Sequence, residues 1–172
     1  MGGIVVGVDD SAGARKALAF AVAEARLRGA PLRVVHVHKP QEQEWTEPLY
    51  FASQHAVPSV PTGGVGEPSA ADLEGVMHAQ EELREAATAR AEALVEGLLD
   101  EVGAVGVDVQ PTVVQERHPA EVLVELSSDA DLLVVGARGR GGFGGLVVGS
   151  VAHAVVLHAA CPVVVVPGAS RH

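Results

Sequence analysis

Short, almost wholly apolar runs alternate with stretches of helical period along this chain. The first run, Gly3 to Val8 (GIVVGV), has the pattern of a strand covered on both faces. Ser11 is a favoured helix N-cap, and Ala14, Leu18, Ala21, Val22 and Ala25 then mark one helical face. Gly29 and Pro31 stop that helix, and Leu32 to His38 (LRVVHVH) completes a βαβ unit. Leu83, Ala87, Ala91, Leu94, Val95 and Leu98 mark the inward side of a long helix, closed by Gly103 and Gly106. Its other side is rich in Glu and Arg and reads as a solvated face. Val107 to Val114 (VDVQPTVV) is the third strand, with Pro111 suited to a sheet edge because it cannot donate to a ladder. Pro119 opens the next helix, with Leu123, Leu126 and Ala130 facing inward. Leu132 to Val135 forms a fourth strand. Val148, Val151, Ala152, Val155, Val156 and Ala159 line one face of a last helix, and Pro162 to Pro167 is the fifth strand. Strands alternating with helices imply a parallel sheet with helices on both faces, joined by right-handed crossovers. Spacing alone permits more than one strand order, a flavodoxin-like order among them.

Residues 39 to about 72 differ in kind. This segment holds half of the prolines, several glycines, and Trp45, Tyr50 and Phe51. It shows neither a helical nor a strand period. Loops of this length inside a domain are functional or disordered, so the expectation is a surface excursion, or a lid or partner-docking segment.

At 172 residues the chain suits a single domain, 1–172, with that segment as a loop insertion. The formal net charge of −10 argues against nucleic acid or an anionic membrane as partner, since both require a basic surface. One cysteine, Cys161, leaves no internal disulfide and fits a reducing compartment. With neither a leader pattern nor a long apolar run, a cytoplasmic location is expected.

The chemistry concentrates in Gly136 to Ser150, GARGRGGFGGLVVGS. Seven of the fourteen residues from Gly136 to Gly149 are glycine, which lets the backbone approach a ligand closely. The helix start at Gly149-Ser150 points free N–H groups and the positive dipole end at the loop, and Arg138 and Arg140 add positive charge. A phosphate-bearing ligand is the simplest occupant; a turn between two core elements is the plain alternative. Gly136, Gly139, Gly149 and Ser150 follow G-x2-G-x9-G-[ST]. That is neither the Walker A spacing nor the dinucleotide fingerprint.

This spacing resembles the nucleotide-binding motif of the universal stress protein family, in its ATP-binding subgroup. IVVGVDDS near the start, ADLLVVGARGRGG and the closing CPVVVVP are similar to that family, in its order, and only residues 39–72 fall outside the likeness. The resemblance implies a three-layer α/β fold, an open parallel five-stranded sheet of order 3-2-1-4-5. Ligands of such sheets sit beyond the carboxyl ends of strands where the order reverses, here between strands one and four. It implies ATP as ligand, with Gly7, Val8, Val37 and Val135 lining the base pocket. Asp9 would meet the sugar hydroxyls or a bridging Mg²⁺, and Gly136, Gly139, Gly149, Ser150 and Val151 the phosphates and ribose. Arg138 and Arg140 stand at variable motif positions and either clamp phosphate or keep the loop solvated. The last strand, 162–167, is expected to pair with its copy in a homodimer. Arg117-His118 departs from the family, in which glycine is common before the Pro-Ala pair.

His36 and His38 alternate on the second strand, so they cannot be assumed to face the same way. The histidines show no H-x3-H pair for zinc, and Cys161 reads as a structural buried thiol. The resulting expectation is a regulatory ATP-binding module, not an enzyme, with an unknown protein partner. A slow ATPase or phosphotransferase, in which Asp9 is the strongest base candidate, is one rival. An interaction module with an empty site is another. AMP or a cyclic nucleotide in place of ATP stays open.

Overall fold

The computed structural model describes residues 2–38, 70–115, 117–139 and 148–168. Its strands are β1 (Gly3–Val8), β2 (Leu32–His38), β3 (Val109–Gln115), β4 (Ala130–Gly136) and β5 (Val163–Val166). Its helices are α1 (Ala12–Arg28), α2 (Ala70–Val102), α3 (Pro119–Leu126) and α4 (Ser150–His158), with a 3₁₀ turn at Ser127–Asp129. The chain forms two compact units, residues 1–38 with 88–172, and residues 39–87. The 39–72 excursion expected from sequence lies almost wholly outside the described residues. Its last residues, from Ala70, are helical and open α2.

The first unit carries one sheet in the order β3-β2-β1-β4-β5, with every neighbouring pair parallel. Hence the 3-2-1-4-5 order holds, and the flavodoxin-like alternative does not. Pro111 sits on the outer strand β3, paired in register with Val34, where its missing N–H breaks no inner ladder.

Alternation along each strand divides the core in two. Ile4, Val6, Val8, Val34, Leu132 and Val134 pack against α1 and against Val95 and Leu98 of α2. Val5, Val35, Leu133 and Val135 pack against Val122 and Leu123 of α3 and Ala152 and Val155 of α4. Helices therefore cover both faces, as near-continuous apolar strands require.

Local signals place the helix ends. Ser11 Oγ accepts from the Ala14 amide at 3.1 Å at the start of α1. Gly29 ends α1 with φ of 61° and returns its N–H to Ala25 and Arg26 carbonyls, the left-handed cap that glycine supplies without strain. Three inward expectations fail. Val156 is 55% exposed and Val148 is 37% exposed, so only Val151, Ala152, Val155 and Ala159 of that set turn toward the core. In the second unit Leu83 is exposed. A helix buries a stripe about 100° wide; Leu83 and Val156 lie outside it, and Val148 precedes α4, which begins at Ser150. Ala130 opens β4 instead of closing a helix.

Candidate functional site

The sheet order reverses at β1, whose neighbours are β2 and β4, so a crevice opens at the carboxyl ends of β1 and β4. Asp9 follows β1 directly, and Gly136 ends β4. Three close approaches then join segments distant in sequence. A Cβ on Gly139 would stand 2.6 Å from Asp9 Oδ2. A Cβ on Gly136 would stand 2.8 Å from the Gly13 carbonyl carbon and 3.2 Å from the Ala14 amide nitrogen. One on Gly13 would stand 2.6 Å from the Arg138 carbonyl oxygen. The start of α1 and the strand-to-loop turn after β4 thus touch backbone to backbone. Gly136 answers to helix α1, and Gly139 answers to the Asp9 carboxylate. Gly13 is part of this contact, and sequence reasoning passed over it. An isolated glycine in the first turn of a helix is the signal that could have found it.

Asp9 both closes a turn and stands at the crevice. Its Oδ1 accepts the Ser11 amide at 3.0 Å, while its Oδ2 lies against Gly139. Oδ1 thus ties the carboxylate to the start of α1, and Oδ2 stands in the space that a Gly139 side chain would need.

The helices that follow β1 and β4 differ in their caps. α1 is capped by Ser11. α4 has Gly149 at its N-cap, with no side-chain cap hydrogen bond. Gly149 instead donates its own N–H to the Ala137 carbonyl at 2.7 Å. That bond fixes the turn and leaves the first N–H groups of α4 without a side-chain acceptor from the cap, the arrangement that suits an anion. Ser150 is the first helical residue and is exposed; Val151 is half-buried behind it.

The remaining expected residues fall as follows. Val8 is buried on the α1 side of the sheet. Gly7 faces α3, where a Cβ would stand 2.7 Å from Leu123 Cδ1. Val37 and Val135 lie on that same side, Val135 buried and Val37 half-buried. Gly7, Val37 and Val135 thus share one face, and Val8 contributes backbone only to anything bound on that face. Arg138 is exposed, and its guanidinium lies 3.9 Å from the point where a Gly168 Cβ would stand, beyond the end of β5. Arg140 lies outside the described residues.

His36 and His38 do face the same way. Residues two apart on a strand share a face, and these imidazoles stack with centroids 6.2 Å apart and planes 10° apart. His36 is buried, with Nδ1 2.8 Å from the Val8 carbonyl oxygen. His118 is the N-cap of α3 and accepts the Ala120 amide on Nδ1 at 3.3 Å. Its φ of −79° is open to any residue, so this turn does not call for glycine. Arg117 pairs with Glu125 at 2.7 Å; the pair is exposed and contributes little to stability. Cys161 is half-buried where full burial was expected. Burial pushes its thiol up from the ordinary range, helped by the negative charge of Asp131 and opposed by backbone hydrogen bonds.

Among the described residues, no group of three or more His, Cys, Asp or Glu could hold a metal ion. No helix of those residues is long and apolar enough to cross a membrane.

Fold and site together define a doubly wound α/β protein with a crevice at its topological switch point. Comparison with known proteins then names the family. The profile of the universal stress protein family matches residues 1–57 and 55–167, and the chain belongs to that family. It is 34% identical over 167 residues to the universal stress protein Rv2623 of Mycobacterium tuberculosis, covering 95% of this chain and 47% of that protein. It is 30% identical over 165 residues to a universal stress protein of Thermus aquaticus, covering 95% of this chain and 96% of that one. The chain spans about half the length of the mycobacterial relatives it matches. Among solved structures, the universal stress protein of Archaeoglobus fulgidus in complex with dAMP aligns with a TM-score of 0.53 at 25% identity. That alignment covers 96% of this chain and 98% of the other.

Proposed function

We propose that this chain is a regulatory nucleotide-binding module whose ligand is ATP, held with Mg²⁺ in the crevice between β1 and β4. The observation that carries the reading is the difference in capping. α1 is closed by its own serine, and α4 presents its amino end behind a glycine. An anion at that end is stabilised by N–H groups and by the helix dipole. The dAMP complex of the Archaeoglobus fulgidus relative supports a nucleoside phosphate as occupant.

The residues fit such a ligand. Gly149, Ser150 and the Val151 amide would hold phosphate oxygens, with the Ser150 hydroxyl exposed toward them. Gly136 and Gly139 keep the turn low enough for the crevice to stay open, and Gly139 admits the Asp9 carboxylate. Asp9 would take the ribose hydroxyls or one position on Mg²⁺, which favours carboxylate together with phosphate and water ligands. Gly7, Val37 and Val135 share the face on which a base would lie. Arg138, aimed toward Gly168, and Arg140 would act on phosphate only from the rim.

Asp9 stands at the crevice mouth with Oδ1 accepting the Ser11 amide. With Oδ2 given to the ribose or Mg²⁺ in this reading, it is poorly disposed to take a proton from a nucleophile. A binding module is therefore favoured over an ATPase. Its output would be a change of partner affinity with nucleotide occupancy, which requires ATP to bind two conformations unequally. A homodimer through β5, a cytoplasmic setting, and a single domain over 1–172 complete the proposal.

The deciding experiment is titration of the purified protein with ATP and Mg²⁺, repeated on Gly149→Asp. A Cβ at Gly149 meets nothing closer than 3.5 Å, and aspartate is a favoured N-cap. The variant should hold or gain stability by about 0.5–1 kcal/mol and lose ATP, because its carboxylate takes the place of the phosphate. Unchanged ATP affinity would remove phosphate from the amino end of α4.

A further inference from the structure

We infer that His36 is a positioning residue for the nucleotide crevice. It orients Asp9 through the last peptide group of β1. The inference rests on the nucleotide reading for its ligand arm, and has a second arm that needs no ligand.

The Val8 carbonyl belongs to the peptide that joins Val8 to Asp9. Its oxygen lies 2.8 Å from His36 Nδ1. A carbonyl oxygen only accepts, so Nδ1 carries the proton and donates. Val8 and His36 are the last register pair between β1 and β2. Beyond them the ladder no longer sets the direction of the chain. The imidazole bond therefore fixes the plane of the peptide from which Asp9 departs. Asp9 then places Oδ1 on the Ser11 amide at 3.0 Å and Oδ2 against Gly139. One line of contacts runs from the ring to the glycine loop.

The surroundings make this contact firm. His36 is 6% exposed, so water competes weakly for the bond. His38 stacks on the ring at 6.2 Å and restricts its rotation. The apolar side chains on this face of the sheet, Val8 and Val34 among them, would serve a packing role better than an imidazole. A buried ring nitrogen placed on a strand-end carbonyl is the feature that packing leaves unexplained.

The test compares wild type with His36→Leu and His36→Asn. Asparagine can place an N–H near the position of Nδ1, whereas leucine fills the space without a donor. The Ser11 amide, which donates to Asp9, reports the carboxylate with no ligand present. Its hydrogen exchange should quicken about tenfold in His36→Leu, the size of one net hydrogen bond, and return close to the wild-type rate in His36→Asn. ATP affinity with Mg²⁺ should follow the same order, about tenfold weaker in His36→Leu and restored within about threefold in His36→Asn. Nitrogen-15 spectra of wild type should show the neutral His36 ring with its proton on Nδ1. A proton on Nε2, unchanged Ser11 exchange in His36→Leu, or equal loss in both variants would each overturn the inference. Should wild type bind no nucleotide, the proposed function falls, while the exchange and tautomer measurements still decide the role of His36. Should neither variant fold, the wild-type tautomer decides it.

Discussion

Four glycines of one region do different work, and substitution by alanine separates them. At Gly136 an added Cβ meets backbone atoms of Gly13 and Ala14 at 2.8–3.2 Å. Neither segment can yield without moving a helix against a strand. Gly136→Ala should therefore cost about 1–3 kcal/mol of stability, as overpacking does, measured by denaturant unfolding. At Gly139 the added Cβ meets only the Asp9 carboxylate at 2.6 Å, which can swing. Gly139→Ala should cost less than about 1 kcal/mol of stability and weaken ATP binding more than tenfold if Asp9 is a ligand contact. Titration and unfolding of the same sample check both outcomes. Gly149 has ordinary contacts only, and Gly13 stands against the Arg138 carbonyl. At Cys161 burial raises the thiol pKa above its ordinary value. Less thiolate forms at neutral pH, so alkylation by iodoacetamide should run slower than for an exposed thiol and rise at higher pH. The folded state keeps its proton longer than the unfolded chain. The stability this group contributes is therefore present below the ordinary thiol range and is lost as pH rises through the folded value. A stability profile at alkaline pH on wild type and Cys161→Ala would differ in that direction.

At the scale of elements, caps decide what each helix can do. Ser11→Ala removes the acceptor for the Ala14 amide and should cost about 1 kcal/mol in unfolding measurements. Much of this scale was legible in the sequence. GIVVGV could only be a covered strand, Gly29 and Pro31 could only end a helix, and Pro111 pointed to the edge strand that β3 proved to be. What was not legible depends on partners far along the chain. Nothing near Gly136 announces that its Cβ would strike Gly13, because that contact exists only once β4 lies beside β1. The shared side of His36 and His38 follows from strand period alone, and it was missed by treating alternation as separation. Val148 and Val156 fit a helical face in sequence, yet α4 begins only at Ser150, past Val148, and its buried stripe leaves Val156 out. Arg140 and most of the loop between Gly139 and Val148 lie outside the described residues, so that part of the site rests on spacing.

At the scale of the whole molecule, the edges of the sheet matter most. β3 carries Pro111 at one edge, which discourages pairing there. β5 is the other outer strand, four valines long and half-buried throughout. Its main chain is directional. Leu133 donates to the Pro162 carbonyl and Ala137 to the Val166 carbonyl, so positions 162, 164 and 166 turn their backbone groups toward β4. Positions 163 and 165 turn theirs outward, because strand backbone groups alternate. A second copy approaching β5 about a two-fold axis would meet those outward groups, and the contact would be self-complementary. Val165→Pro removes one outward N–H and none that β4 uses, and proline is tolerated at an edge facing that way. The variant should keep its helical circular dichroism while its sedimentation shifts from dimer to monomer. A dimer of undiminished affinity would move the interface away from β5. A monomeric wild type would leave the nucleotide crevice intact and refute the dimer alone, since every residue assigned to the crevice comes from one chain.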